Sequence, residues 1–444
     1  MGFSDRLRDI RTGFERPFWV ANISEIFERL SYYAVFAALA RYLHEALQFP
    51  TQQAASLSGI FGGAVWVMAI FGGALADRIG FRRALSLAYF ILSGSYFLVG
   101  SIGSPWLAPV RNTIPLGLMV GVILFLPAFG VALVKPSVVG TTARASKENV
   151  RSIGYSIYYT MVNIGSTLGP FLAGWVHQRM HVENVFRLAA LSVFLMFVGV
   201  LIFFKEPRRS ADAPTATVPQ VARNFVTVLG NVRFVLFLLI FSGYWIVFWQ
   251  QYLILGIYIH DYLDPKANTE MILIADPLVV IALTVAVNAL TRKIPSFRAI
   301  TLGTLVTAVA WLLMLVPVNP LSSMLGGAFG AHPGVVMAVA TLMVVALGEI
   351  IQQPRYYEYI SRLAPPGQQG TYMGFAFLPI GIGSLVGGWF AGKLLHHFGE
   401  VTHQPDRIWW IVAGVGVGTA LLLEIYDRLL RPGAPLPATT PGVP

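Results

Sequence analysis

Apolar positions in this chain fall in long unbroken stretches, not in the alternating or one-sided patterns of soluble strands and helices. Twelve stretches are each long enough to cross a bilayer as an α-helix: 17–43, 54–76, 84–104, 115–143, 152–176, 184–204, 232–259, 271–291, 299–317, 334–356, 370–392 and 407–427. In hydrocarbon a segment must bond its own backbone polar groups, so each stretch predicts a helix. The expected fold class is an all-α polytopic membrane protein. The connection after the sixth stretch differs in kind. Lys205-Glu206-Pro207-Arg208-Arg209-Ser210-Ala211-Asp212-Ala213-Pro214 is polar and punctuated by proline, and reads as a flexible linker. It divides the chain into residues 1–204, a linker over 205–231 and residues 232–431. The Pro-rich 432–444 reads as a disordered tail.

Composition agrees: 56% of the 444 residues are hydrophobic and 12% charged, too few charges for a soluble chain of this size. The net charge of +10 would suggest nucleic-acid binding in a soluble protein. Its distribution reads otherwise. Lys and Arg concentrate in the N-terminal tail, the even-numbered connections and the C-terminal end, while the other face has Arg111, Arg179, Arg187, Lys266, Lys393 and Arg407. This bias predicts both termini in the cytoplasm of a multi-pass protein of the cell membrane and no nucleic-acid partner. The polar, basic Met1–Arg16 does not read as a cleavable signal peptide. With no cysteine there is no disulfide and no cysteine metal site. His177 and His181 fall in a loop, His396 and His397 sit side by side at a span end, and no Ser/His/Asp arrangement or phosphate loop stands out. Neither an enzyme nor a resident metal or cofactor is expected.

Charges inside the spans are the exception that needs a reason. Residues 22–33 read Asn-Ile-Ser-Glu-Ile-Phe-Glu-Arg-Leu-Ser-Tyr-Tyr. At about 100° per residue, Glu25, Glu28, Arg29, Tyr32 and Tyr33 share one helical sector. A charge at mid-membrane costs about 2.5–3.5 kcal/mol on insertion scales, so such groups face protein or a water-filled cavity. They read as either a structural ion pair or a functional site. Lys135 precedes Pro136 and lies about 14 Å inside the near end of the fourth span; Glu28 lies about 16 Å inside the first. An ion pair between Lys135 and Glu25 or Glu28 is therefore expected where those spans adjoin. In the fifth span, Gly165, Ser166 and Gly169 make a close-packing face, and Asn163 is either interhelical glue or a cavity ligand. The seventh span holds Trp245, Trp249, Gln250, Gln251 and Tyr252 but no carboxylate. Asp276, next to Pro277, is either a cap after a helix distortion or a cavity acid. Glu349 lies about 20 Å from Arg362, near mid-membrane. Phe375 and Phe377 are candidate cavity walls.

The connection after the second span reads Gly73-Ala-Leu-Ala-Asp77-Arg78-Ile-Gly80-Phe-Arg82-Arg83. This pattern resembles the signature between spans two and three of the major facilitator superfamily, with Gly73, Asp77, Arg78, Gly80 and Arg83 as its gating motif. The resemblance implies twelve transmembrane helices in two six-helix bundles around a central cavity, working by alternating access.

Several pieces together are similar to the proton-dependent oligopeptide transporter family. Its first-helix E-x-x-E-R-F-x-Y-Y corresponds to Glu25, Glu28, Arg29, Leu30, Tyr32 and Tyr33, with Leu30 where phenylalanine is usual. Lys135-Pro136, the Tyr158-Tyr159…Asn163-Ile-Gly165 run and Gly348-Glu349…Pro354 match its fourth-, fifth- and tenth-helix motifs. The resemblance implies proton-coupled import of di- and tripeptides across the lipid bilayer; a monomer is the expected state. Protons are the coupling ion, handled by Glu25, Glu28, Arg29 and Lys135. It also implies that Arg29 and Lys135 hold the peptide carboxylate, that Tyr32, Tyr33 and Asn163 line the pocket, and that Glu349 holds the peptide amino group. Trp249, Phe377 and Asp276 are further candidates, Asp276 in place of the family's missing seventh-helix acid. The alternative reading is a proton-coupled carrier of another amphoteric or anionic solute, or a drug exporter.

Overall fold

The computed structural model describes residues 12–207, 223, 226–316, 332–364 and 369–430. The 432–444 tail and positions 208–222 of the linker lie outside the described residues. The described chain is helical, and its extended pairing amounts to one isolated bridge between Phe14 and Ser146.

The long helices are α1 (Arg16–Arg41), α2 (Thr51–Ile79), α3 (Phe81–Val99), α4 (Leu116–Arg144), α5 (Arg151–Arg179) and α6 (Glu183–Phe203). They continue as α7 (Val232–Phe248), α8 (Ala275–Thr291), α9 (Ser296–Ala310), α10 (Pro333–Leu363), α11 (Leu378–Leu394) and α12 (Arg407–Leu430). Among the described residues, eight helical segments are long and apolar enough to cross a membrane. The segments containing α4 and α6 to α12 qualify; α1, the charged one, does not.

Local sequence explains the interruptions. Pro277 has no N–H to give the preceding turn, and the chain makes a short helix at Thr269–Ile272 and restarts at Ala275. Pro379 acts likewise, with a break between Gln369–Phe375 and α11. Between α2 and α3 the chain turns on Gly80, whose φ of +87° is a left-handed conformation that favours glycine. The Glu206 carboxylate then accepts from the backbone N–H groups of Phe81 at 2.9 Å and Arg82 at 2.8 Å, capping α3. Arg78 and Arg83 are exposed there. The side chain of Asp77, like Gly73, lies outside what is described.

Helix α1 packs on α5 and α6, α4 on α2 and α3, α10 on α8 and α9, and α12 on α7 and α9. The expected small-residue face is used: a Cβ on Gly165 would lie 2.6 Å from the Ile26 carbonyl oxygen, and one on Gly169 2.6 Å from that of Leu30. The two halves meet mainly through α2 against α11 and α5 against the Thr269–Ile272 helix.

We call the side holding Arg16 and Leu430 the near side. Polar links between the halves gather on the far side. Arg41 donates to Thr269 at 2.9 Å and lies 3.5 Å from Glu270. His177 bonds Glu270 at 2.8 Å, and Asn268 donates to the Gly174 carbonyl at 2.9 Å. His260 of one half lies 3.6 Å from Glu45 of the other, and His44 lies 3.7 Å from Asp261. His177 is thus in the last turn of α5, not in a loop. The helix runs three residues past the apolar stretch because its end is paid in polar contacts, which hydropathy does not register.

The far-side seal between α2 and α11 depends on bare backbone. A Cβ on Gly388 would lie 2.6 Å from Gly59 Cα and 2.7 Å from the Ala55 carbonyl oxygen. Gly388→Val is expected to force these helices apart, at a cost on the order of 1–3 kcal/mol to the closed arrangement. Spin labels at exposed Gln53 and Lys393 should report a longer separation in the variant. An unchanged distance distribution would contradict this reading of the seal.

Candidate functional site

The charged sector of α1 is buried inside the N-terminal half. Arg29, 1% exposed, forms a two-point pair with Glu28: Nε to Oε2 at 2.5 Å and Nη2 to Oε1 at 2.7 Å. Such paired geometry is the strong form of a charge-assisted bond. Glu25, also fully buried, lies 3.6 Å from the same Nε, outside hydrogen-bond length. Two acids therefore share one arginine, and Glu28 holds it. Around them Tyr89 donates to Ser24 at 2.8 Å and Asn22 to Thr142 at 3.2 Å, tying α1 to α3 and α4.

Between the halves lies a cavity of about 420 Å³, within the range of small-ligand sites. Its charged groups are divided by half: Lys135 of α4 on one wall, Asp276 of α8 and Glu349 of α10 on the other. The Lys135 ammonium lies over the Trp66 ring, 5.3 Å from its centroid. Gln251 donates to Asp276 Oδ2 at 3.1 Å. Asp276 sits in the first turn of α8 and lines the cavity. Asn163 donates to the carbonyl of Tyr159 in its own helix at 2.8 Å and also lines the cavity.

Aromatic rings close the far end. Phe36 stacks on Tyr252 at 4.9 Å, parallel to within 3°, and contacts Trp249 at 5.2 Å. Trp249 is fixed by its Nε1 donating to the Ile380 carbonyl at 3.1 Å. Tyr33, Trp249 and Tyr252 face the cavity from beneath this plug. Toward the near side a second cleft of about 540 Å³, lined by Tyr155, Tyr159, Asn163, Val280 and Thr284, separates α5 from α8. Along α5 and α8 the halves thus touch at the far side and part below it.

Four expectations need correction. Lys135 forms no ion pair with Glu25 or Glu28; depth along a helix matches, but the side chain turns onto Trp66 instead. Arg29 does not line the cavity, because Glu28 holds it inside the half. Tyr32 is fully buried between Arg29, 5.0 Å from its ring, and Phe61, at 5.5 Å between centroids. Phe377 stacks behind Trp66 at 5.6 Å and Phe375 is buried; neither is among the lining residues. Sequence reading missed Trp66, Tyr159, Asn288, Gln353 and Tyr357 as lining residues. Tyr159 and Tyr357 carried a signal, as polar rings one or two helical turns from Asn163 and Glu349.

A family model for the major facilitator superfamily matches residues 22–349. The chain belongs to that superfamily. Within it, the chain is 23% identical to the multidrug resistance protein MdtH of Escherichia coli (strain K12 / DH10B) over 359 residues, 80% of each chain. Its fold is similar to that of a POT family transporter solved with a thioalcohol conjugated peptide, at a TM-score of 0.73 and 18% identity over 93% of this chain and 96% of the other. A POT family transporter solved with 5-aminolevulinic acid gives 0.72 and 18% over 93% and 96%. The nucleoside transporter NupG gives 0.72 and 12% over 92% and 99%. At these identities the likeness is one of fold. As a major facilitator the chain is an integral membrane transporter of small molecules.

Proposed function

We propose that this major facilitator is a proton-coupled symporter that imports short peptides or similar zwitterions by alternating access. The observation that carries the reading is the division of charge across the cavity, Lys135 facing Asp276 and Glu349. A zwitterion placed between them has its carboxylate on Lys135 and its ammonium on the two acids. Both contacts are charge-assisted, and together they draw the halves toward each other. On this reading all of α1 to α12 cross the membrane, the near side is cytoplasmic, and residues 1–204 and 232–431 move as two bundles about the 205–231 linker. The conformation described is then closed to the outside. Import is the direction proposed: substrate enters from the far side and leaves through the α5–α8 cleft.

Glu25 is the proton site in this scheme. It lies 3.6 Å from Arg29, and Arg29 is committed to Glu28. Protonated, Glu25 leaves Lys135 free for a substrate carboxylate; ionised, it competes for that ammonium. Proton and substrate then favour each other's binding, and the effect is reciprocal. Asp276 adds a second titrating group on the opposite wall. Asp276→Asn, which keeps a partner for Gln251, is expected to flatten the pH dependence of uptake. An unchanged pH profile would remove Asp276 from the mechanism.

A second reading draws on the aromatic lining and on two acids facing one lysine, together with the likeness to MdtH: export of a cationic amphiphile. Competition against labelled dialanine in proteoliposomes separates the two. On the symport reading free dipeptides compete, while N-acetylated or C-amidated ones and lipophilic cations do not. No saturable uptake of dialanine, with uptake of a labelled lipophilic cation that free dipeptides do not inhibit, supports export.

A further inference from the structure

We infer that the lipid-facing side of the N-terminal half holds a binding site for one anionic glycerophospholipid, in the leaflet away from the chain ends. The inference needs the chain to be membrane-embedded, not the proposed substrate. A groove of about 700 Å³ runs between α3 and α6, walled by Phe90, Phe97, Leu98, Leu126, Leu191 and Phe194. Its floor has a notch at Gly94, where an added Cβ would meet no atom within 4 Å. The polar floor groups are already used, Ser93 donating to the Ala190 carbonyl at 3.1 Å and Ser95 to that of Ile91 at 2.6 Å. The groove is therefore apolar to whatever enters it. From Phe90 to Leu98 it spans about 12 Å along α3, somewhat less than the roughly 15 Å depth of one hydrocarbon leaflet.

Charge at one end selects the occupant. Arg187 closes the groove on the far side, its stem crossing Gly100. Its guanidinium makes only long bonds, 3.4 Å to Asn184 Oδ1 and 3.4 Å to Ser104 Oγ. Arg111 converges on the same loop, donating to the carbonyls of Ile102 and Ser104. Neither arginine forms an ion pair among the described residues, although Glu183 begins the same helix as Arg187. Trp106, exposed at this level, stacks on Phe97 at 6.3 Å, as aromatic residues do at the membrane interface. An apolar trough about one leaflet deep, with the Arg187 guanidinium at its polar end and Arg111 on the adjoining loop, fits an acyl chain below and a phosphate above. A zwitterionic headgroup adds an ammonium that these arginines repel.

The test is native mass spectrometry of the full-length protein released from nanodiscs of equal phosphatidylglycerol and phosphatidylethanolamine. The wild-type protein is expected to retain one phosphatidylglycerol in preference. R187Q should lower that preference about fivefold, the effect of one arginine at a charged membrane surface. G94L fills the notch without a clash and should reduce retained lipid of either kind. Thermal unfolding in detergent checks that both variants are folded. Equal retention of the two lipids by the wild-type protein, a preference unchanged in folded R187Q, or undiminished lipid retention by folded G94L would overturn the site.

Discussion

Replacing Lys135 with glutamine is expected to weaken dipeptide binding by roughly ten- to a hundredfold, the effect of losing a hydrogen bond to a charged partner. Lys135 is the basic group facing the cavity, while Asp276 and Glu349 face it from the other half. The substitution leaves a polar side chain near Trp66, so the wall should persist and the protein should fold. The variant should also lose its discrimination between a free and an amidated peptide C-terminus, since the group that reads that charge is gone. Glu349→Gln should show the complementary pattern and stop distinguishing free from acetylated N-termini. Binding titrations of the four peptides at one pH read both effects. Full C-terminal discrimination in folded Lys135→Gln protein would mean that the substrate carboxylate lies elsewhere.

Glu25→Gln and Glu28→Gln are expected to differ sharply, although both remove an acid from the same sector. Glu28 accepts both arms of Arg29. Removing its charge leaves a buried guanidinium with Glu25 at 3.6 Å as its nearest acid, a loss of about 3–5 kcal/mol for a broken buried pair. That variant should unfold at lower temperature and express poorly. Glu25 makes no hydrogen bond to Arg29, so Glu25→Gln should fold. It should abolish proton-driven accumulation yet spare counterflow, in which substrate exchanges without a net proton. Thermal unfolding and paired accumulation and counterflow assays separate the cases. Loss of both transport modes in well-folded Glu25→Gln protein would deny Glu25 its coupling role.

The sector arithmetic on α1 was sound for charge and unsound for the two tyrosines. Glu25, Glu28 and Arg29 do come together, because polar groups in a span must find one another wherever they point. Tyr32 and Tyr33 are adjacent and diverge by about 100°. The face seen by the cavity is narrower than the polar sector, so Tyr33 lines it and Tyr32 packs on Phe61. Depth counting put Lys135 level with Glu28, but rise along a helix says nothing of azimuth, and the ammonium turns to Trp66. The far-side lock was not legible. Arg41 and Thr269 are 228 residues apart, and the lock's other partners come from helix ends that hydropathy treats as connections. Gly80 and the small face of α5 were legible because each encodes a local requirement, a left-handed turn and a close approach.

The central claim is that a zwitterion bridges oppositely charged walls while a proton on the N-terminal half sets whether the basic wall is free. Uptake of labelled dialanine into proteoliposomes with an imposed pH gradient, acid outside, tests it most directly. Accumulation above equilibrium that collapses with a protonophore is the expected result. Uptake that reaches only the equilibrium level, with the gradient or without it, would contradict the account.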